Sequence, residues 1–205
     1  GRFLASALRG DLGNSFLHGT PALALILQRL PATLELAVTA LLIALLLGLP
    51  LGLWAGLKPD SFAAKTIMAG SILGFSLPTF WVGLMLIMVF AVNLGWLPAG
   101  GRGPSTEVFG LHLSFLSVDG LRHLLLPAIN LALFKLALII RLTRSGAREA
   151  LQQDYVRYAR AKGLRESRVV GVHVLKNILI PVITVAGLEF GNLIAFSVVT
   201  ESIFA

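Results

Sequence analysis

Four long apolar runs constrain what this 205-residue chain can fold into. They fall within about residues 32–57, 62–92, 122–144 and 174–205. Each contains a stretch of about 17–25 mostly apolar residues, the length with which a helix crosses a bilayer. Unbroken runs such as LLIALLL at 41–47 lack the alternation of a transmembrane β-strand. We therefore predict an all-α, polytopic transmembrane helix bundle with four spans.

The composition excludes several functions. Hydrophobic residues make up 56% of the chain and charged residues 13%, with a mean hydropathy of +0.85. The sequence contains no cysteine, which rules out disulfides, thiolate catalysis and cysteine-ligated metals. A net charge of +7 would suggest nucleic acid in a soluble protein. In a membrane bundle the placement of that charge sets orientation instead, so we expect no nucleic-acid partner.

Basic residues are concentrated on one side of the predicted bundle. Loop 58–65 carries two Lys or Arg residues and segment 141–176 carries nine, whereas the loops of the other side share five. Because short cytoplasmic loops are enriched in Lys and Arg, we place both basic segments in the cytoplasm. Residues 1–31 then form an external segment, and 145–173 forms a cytoplasmic loop.

The two ends of the sequence predict that it is an internal fragment. Residues 1–31 are not preceded by Met, a basic n-region or the apolar region of a signal peptide. A polar segment does not cross a membrane unaided, so we expect a membrane helix upstream. The sequence also stops inside an apolar run at Phe204 and Ala205. We interpret it as a fragment that lacks the first and last spans of a longer protein.

Prolines and glycines mark expected breaks in the spans. Pro31 suits the first turn of the first helix, where its missing N–H costs nothing. The segment GLPLG at 48–52 predicts a kink or helix end, and Pro78 predicts a bend in the second span. Such breaks are tolerated where neighbouring helices or water satisfy the freed carbonyls. We include Ser76 and Pro78 among the candidate translocation-path residues.

The cytoplasmic loop 145–173 predicts two short helices joined at a corner. Asp154 suits an N-cap, and Gly163 suits a left-handed residue just after the helix C-terminus. One interpretation is a basic helix lying on anionic lipid. The other is docking into a groove of a partner protein, which small residues beside tyrosines favour at Tyr155, Tyr158, Ala159 and Ala161.

Short motifs in a fixed order carry a family resemblance over essentially the whole chain. The loop contains DYVRYARAKGL at 154–164, and it is flanked by RLTRS at 141–145 and HVLKN at 173–177. Elsewhere stand GDLGNS at 10–15, RLPAT at 29–33, SLPTFW at 76–81, GWLP at 95–98 and LPA at 126–128. The chain resembles the binding-protein-dependent ABC importer permeases, and within them the dipeptide, oligopeptide and nickel branch.

The resemblance implies a six-span permease in the bacterial inner membrane. It also implies three kinds of partner: a second permease subunit, two cytoplasmic ABC ATPases and an external solute-binding protein. The loop would seat in a cleft of the ATPase and couple nucleotide-driven motion to the bundle. Its implied coupling residues are Asp154, Tyr155, Arg157, Tyr158, Ala159, Arg160, Ala161, Lys162, Gly163 and Leu164. The chain departs from the family at Arg165, where many members have Ser, and at Glu189, where Gln is common.

No pattern of catalytic or metal-ligating residues is evident. The sequence lacks a phosphate-binding loop, since Lys65 and Thr66 are not preceded by the required glycines. ATP hydrolysis is therefore expected in a separate subunit, and we predict neither an enzyme nor a cofactor. His18, His112 and His123 are scattered without ligand spacing, so we interpret them as solvated or interfacial rather than as a metal pathway.

Lys135 and Glu189 are ionisable residues within predicted spans, where such residues usually face the bundle interior and pair. Counted from Arg141, Lys135 lies about 9 Å deep, and Glu189 lies about 12 Å past Pro181. These depths allow an ion pair or a polar lining that meets a zwitterionic peptide. The alternative is that Lys135 snorkels to the interface. Both residues join the candidate translocation path.

Together these features predict the permease subunit of an ABC importer for dipeptides or oligopeptides. A nickel or glutathione importer of the same branch is the first alternative. An alternative of another class is a membrane channel or an embedded enzyme whose basic loop binds lipid. An embedded enzyme would need clustered His, Asp or Glu within the spans, and the sequence offers one candidate pair.

Overall fold

We describe the fold from a computed structural model of the chain. The structure describes residues 21–101, 103–104, 106–108, 111–114 and 117–204. Most of the predicted external segment 1–31, including the motif at 10–15, lies outside the described residues.

The described residues are almost entirely helical. The helices are α1 (Ala22–Leu57), α2 (Phe62–Ser76), α3 (Thr79–Leu86), α4 (Val118–Gln152), α5 (Asp154–Ala161), α6 (Glu166–Arg168) and α7 (Leu175–Ile203). A π-helical segment, Ile87–Asn93, extends α3, and a second, Val169–Val174, joins α6 to α7. The predicted helical class is confirmed. A short antiparallel hairpin of β1 (Thr106–Val108) and β2 (Leu111–Leu113) between α3 and α4 was not foreseen from the sequence.

In the part of the chain that the structure describes, three helical stretches are long and apolar enough to cross a membrane. They are Arg29–Leu57, Val118–Gln152 and Glu166–Ser197, the last of which runs through α6, the π-helical segment and most of α7. A fourth crossing is possible if α2 and α3 count as one span bent by 109°. The boundaries of the four predicted spans and their sidedness stay predictions.

The second predicted span is broken rather than bent at Pro78. Helix α2 ends at Ser76, Leu77 is extended with ψ 139°, and Pro78 is the N-cap of α3. A proline ring disfavours the helical conformation of the residue before it, which ends the helix there. The chain therefore turns sharply at a point where the sequence alone indicated a kink.

Helix α1 corrects one prediction and one half of another, because the kink predicted as the alternative at 48–52 stays a prediction. It begins at Ala22 and contains both Pro31 and Pro50, so Pro31 does not open it and residues 48–52 do not end it. Instead, the glycines face α4. A Cβ added at Gly52 would lie 2.6 Å from the carbonyl oxygen of Ile140, and one added at Gly48 would lie 2.7 Å from Ile139 Cγ2. Small residues let two membrane helices approach closely, so these glycines serve packing.

The order of these contacts defines the two ends of the bundle. Helices α1 and α4 run parallel, because Gly48 lies against Ile139 and Gly56 against Ala147. Helix α7 returns antiparallel, so its last residues meet the start of α1 and the hairpin region. We call that end the hairpin end. The opposite end, where Lys58 and α5 lie, is the corner end.

Candidate functional site

The corner at the end of α5 is built by a specific glycine geometry. Gly163 has φ +74°, the left-handed conformation that its position after the helix predicted. Its N–H donates to Arg160 O at 2.9 Å, and the N–H of Leu164 donates to Ala159 O at 3.3 Å. These two bonds are the Schellman pattern, which satisfies carbonyls that the helix end leaves free. The chain therefore leaves α5 in a defined direction.

The other end of α5 differs by one residue from the prediction. Gln153 is the N-cap and makes no side-chain cap bond, whereas Asp154 is the first helical residue. The Asp154 carboxylate there still meets the positive end of the helix dipole. Its Oδ1 lies 3.6 Å from Arg157 Nη1 in an exposed ion pair.

Helix α5 has one buried and one exposed face. Val156 and Ala159 are buried at 0% and 3% exposure and pack into the core of the chain itself. Ala159 therefore packs inside the chain and not on the exposed face, and its part in coupling stays a prediction. Tyr155 and Tyr158 are exposed, and Lys162 Nζ lies 4.6 Å from the centre of the Tyr158 ring. The exposed face combines two aromatic rings with positive charge.

An ion pair that the sequence analysis missed ties α5 to α6 across the corner. Arg160 donates through Nη2 to Glu166 Oε1 at 2.5 Å and through Nε to Glu166 Oε2 at 3.2 Å. This two-point contact has the fork geometry of arginine with carboxylate. The hydrogen bond from Arg160 lowers the pKa of the Glu166 carboxyl below its ordinary value. The two residues are six positions apart with a turn between them, so the three- or four-residue spacing of pairs within one helix could not predict this contact.

Lys135 of α4 and Glu189 of α7 are brought together inside the bundle. Lys135 Nζ donates to Glu189 Oε2, and the two side chains are 14% and 25% exposed. Asn192 Nδ2 donates to the same oxygen at 3.3 Å, and Lys135 Nζ lies 6.0 Å from the centre of the Phe196 ring. The sequence suggested either that Lys135 pairs with Glu189 or that it snorkels to the interface, and the structure has the ion pair.

The other two candidate path residues lie apart from this pair. Ser76 is exposed, and its hydroxyl donates to Ile72 O at 2.9 Å within α2. Pro78 is also exposed at the break. The next residue, Thr79, does line a cavity of about 160 Å³ that Lys135 borders. We call this the central cavity.

A larger cavity of about 650 Å³ opens at the hairpin end. Glu35 lines it and is 8% exposed, although the sequence analysis did not single it out. Thr33 donates to Glu201 Oε1 at 3.0 Å on the same wall. His123 Nδ1 lies 2.8 Å from Asp119 O, and because a carbonyl only accepts, Nδ1 carries the proton. The sequence could have identified Glu35, because it is a glutamate four residues into a predicted span.

The corner, the internal ion pair and the two cavities contain side chains that can bind or position another molecule. Within the part of the chain that the structure describes, no three His, Asp or Glu side chains are grouped to hold a metal ion. The corner end presents an exposed helix, and the interior presents a paired charge beside a small cavity. That arrangement defines a class of protein: a multi-span membrane bundle with an exposed helical corner at its basic end.

The family follows from comparison of the sequence. The chain belongs to the family of binding-protein-dependent transport system inner membrane components, whose profile matches residues 48–205. It is thus a multi-pass inner membrane protein, as predicted, and the family resemblance is confirmed.

Several relatives are similar over nearly the whole chain. The di/tripeptide transport system permease protein of Pseudomonas aeruginosa is 45% identical over 99% of the chain. The oligopeptide transport system permease protein of Bacillus subtilis is 43% identical, and the dipeptide transport system permease protein of Haemophilus influenzae is 41% identical, each also over 99%. The chain spans 64%, 63% and 64% of the lengths of these three relatives.

Proposed function

We propose that this chain is the transmembrane subunit of an ATP-driven ABC importer for dipeptides and oligopeptides. The observation that carries the proposal is 45% identity over 99% of the chain to a permease named for di- and tripeptide transport. The relatives described above are all named as peptide permeases, which favours peptides over nickel. In this proposal the chain forms part of the translocation path, and ATP is hydrolysed by a separate subunit.

The proposed partners are a second permease subunit, two cytoplasmic ABC ATPases and an external solute-binding protein. Loops 58–65 and 141–176, which hold most of the basic residues, lie at the corner end, so we place that end in the cytoplasm. The hairpin end then faces the solute-binding protein. Family membership supports this assembly, and the second permease can be a copy of this chain or a different one.

We propose that the exposed face of α5 docks into the ATPase. Tyr155 and Tyr158 offer large rings on a short helix, as helix-in-groove recognition requires. Val156 and Ala159 fix the opposite face to the bundle, so a push on α5 is transmitted to the helices on either side. The Gly163 turn and the Arg160–Glu166 pair hold the angle between α5 and α6.

The helices that flank α5 also carry the internal ion pair. Helix α4 leads into α5 and bears Lys135, while the helix that leaves the corner bears Glu189. Glu189 lies 23 residues beyond Glu166, or roughly 35 Å along a helix. A change in the angle at the corner therefore shifts Lys135 and Glu189 relative to each other. This is the proposed mechanical link between ATP hydrolysis and the translocation path.

The test compares two glycine variants in the intact importer, reconstituted with its ATPases and solute-binding protein. Gly163 and Gly171 both have open space where a side chain would go, but only Gly163 has a positive φ. A left-handed residue other than glycine costs roughly 1–2 kcal/mol, and a β-branched one crowds the turn further. We expect Gly163→Val to lower peptide uptake and stimulated ATP hydrolysis together, and Gly171→Val to change both little.

Three results separate the alternatives. Normal coupled transport by Gly163→Val would exclude the docking corner. Loss of activity after charge reversal at Arg157 and Arg165, with Gly163→Val active, would indicate that the loop binds lipid. If the parent importer takes up labelled nickel in place of labelled peptide, the chain belongs to a nickel importer of the same branch.

A further inference from the structure

Asn130 is an unpartnered polar residue deep inside the bundle. It lies on α4, it is 0% exposed, and neither Oδ1 nor Nδ2 has a hydrogen-bond partner among the described residues. It is eleven residues from Arg141, about 16 Å along the helix and thus near the middle of an apolar core about 30 Å thick. A buried amide without partners costs free energy, and in native proteins such a group usually meets a water or a ligand.

Asn130 borders the central cavity of about 160 Å³. Thr79 from α3 and Thr200 from α7 add hydroxyl groups to the same wall. Thr200 Oγ1 donates to Phe196 O at 3.2 Å, which leaves its lone pairs free to accept. Three helices therefore each contribute a polar side chain to one small space.

The cavity is mostly apolar, with a few polar groups in its wall and no net charge. Lys135 lines it, and the charge of its ammonium is balanced by Glu189. The rest of the wall is apolar and consists of Leu131, Phe134, Leu193 and Phe196. Such a space favours an uncharged dipolar group over a free ion.

The backbone of α3 passes close to Asn130. A Cβ added at Gly83 would lie 3.3 Å from Asn130 Nδ2 and 3.2 Å from Ile203 Cγ2. Gly83 thus lets α3 cover the carboxamide closely on one side. Asn130 borders the central cavity, and its two amide atoms are themselves covered in this structure.

We propose that the central cavity binds one uncharged amide group of the passing solute and that Asn130 recognises it. Asn130 Nδ2 donates to the amide oxygen of the solute, and Asn130 Oδ1 accepts from its N–H. A carboxamide carries the donor and the acceptor that complement a peptide bond. The proposal rests on the proposed function, since it assigns a recognition site to a peptide permease. A cavity of this volume holds about five waters, roughly the space of one residue.

The experiment pairs a protein variant with a solute variant. A dipeptide and its depsipeptide analogue, in which an ester oxygen replaces the amide N–H, are taken up by the reconstituted importer with the same solute-binding protein. Loss of one hydrogen bond corresponds to roughly a tenfold preference for the amide. We expect the preference for the dipeptide to fall about tenfold in Asn130→Leu relative to the parent importer.

Thr143→Val is the matched control. Thr143 is also on α4, is 0% exposed and has an unpartnered Oγ1, but it packs against Gly52 away from the cavity. This variant should leave the amide preference unchanged. Asn130→Leu should be at least as heat-stable as the parent, because it removes a buried unpaired amide.

A second measurement keeps the test decisive if Asn130→Leu does not assemble. Because residues 1–205 contain no cysteine, Asn130→Cys places a single thiol for N-ethylmaleimide in this part of the importer. Saturating dipeptide should slow its alkylation in the assembled importer several-fold. An unchanged alkylation rate would overturn the proposal.

The remaining outcomes are also distinguishable. If the parent takes up the dipeptide but Asn130→Leu keeps the same amide preference, the recognition site is wrong and the proposed function stands. Equal loss of uptake of both solutes, together with lower heat stability, would mean that Asn130 serves a buried water, which also overturns the site. If the parent takes up neither solute, the proposed function fails and the site with it.

Discussion

At the residue scale, the contact between Lys135 and Glu189 makes a quantitative prediction. Both side chains are largely withdrawn from the surface, so neutralising one leaves the other without its counter-charge. We expect Lys135→Met and Glu189→Gln to destabilise the intact permease by more than the double variant does. The coupling energy in a double-mutant cycle should be about 1–3 kcal/mol, measured by unfolding in detergent.

The Arg160–Glu166 pair provides the control cycle at the same scale. Its side chains are 44% and 59% exposed, so solvent screens the interaction. Coupling between Arg160→Met and Glu166→Gln should therefore stay within about 0–1 kcal/mol. Additive effects in the Lys135 and Glu189 cycle would instead mean that the internal contact contributes nothing and that Lys135 is stabilised by snorkelling.

At the element scale, the close approach of α1 to α4 predicts how glycine substitutions rank. A Cβ at Gly52 would lie 2.6 Å from backbone of α4, whereas one at Gly70 of α2 would meet nothing within 4 Å. Gly52→Ala should destabilise the permease by about 1–3 kcal/mol through overpacking. Gly70→Ala should be neutral or should stabilise by up to about 1 kcal/mol, because alanine favours helix. Thermal unfolding of the two purified variants checks this, and equal stability would contradict the packing of α1 on α4.

At the scale of the whole molecule, the orientation predicts which residues face the outside of the cell. Residues 1–205 contain no cysteine, so a single cysteine at Lys58, Ala99 or Ser167 is the one thiol within them. All three positions are exposed in the structure. An impermeant thiol reagent added to intact cells should label Ala99→Cys, and Lys58→Cys and Ser167→Cys only after permeabilisation. The opposite pattern would reverse the proposed sides.

The local backbone conformation could be predicted from the sequence where a single residue type determines it. Gly163 was expected to be left-handed because glycine follows the basic last turn of a helix, and its φ of +74° agrees. Pro78 was expected to disturb the second span, but the size of the effect was not. Whether a proline bends a helix or ends it depends on how the two halves pack. The 109° turn is therefore visible only in the tertiary structure.

Single glycines and prolines in α1 were wrong guides where they predicted that a helix begins or ends. Pro31 was predicted to open the helix, and segment 48–52 was predicted to kink or end it. Both lie inside one continuous helix. Neighbouring helices can satisfy the carbonyls that a proline frees, so a proline alone does not end a membrane helix. The four-residue spacing of Gly48, Gly52 and Gly56 was the overlooked sign of packing.

The sequence by itself determined the helical membrane class, the basic side of the bundle and the family. These properties depend on apolar length, charge placement and ordered motifs, all of which are local or additive along the chain. Only the tertiary structure decided that Ala159 is buried, that Lys135 meets Glu189 across 54 residues and that Asn130 has no hydrogen-bond partner among the described residues. Those facts depend on which helix faces lie against each other. In an apolar bundle many faces look alike in sequence, and the close fit of small side chains selects among them.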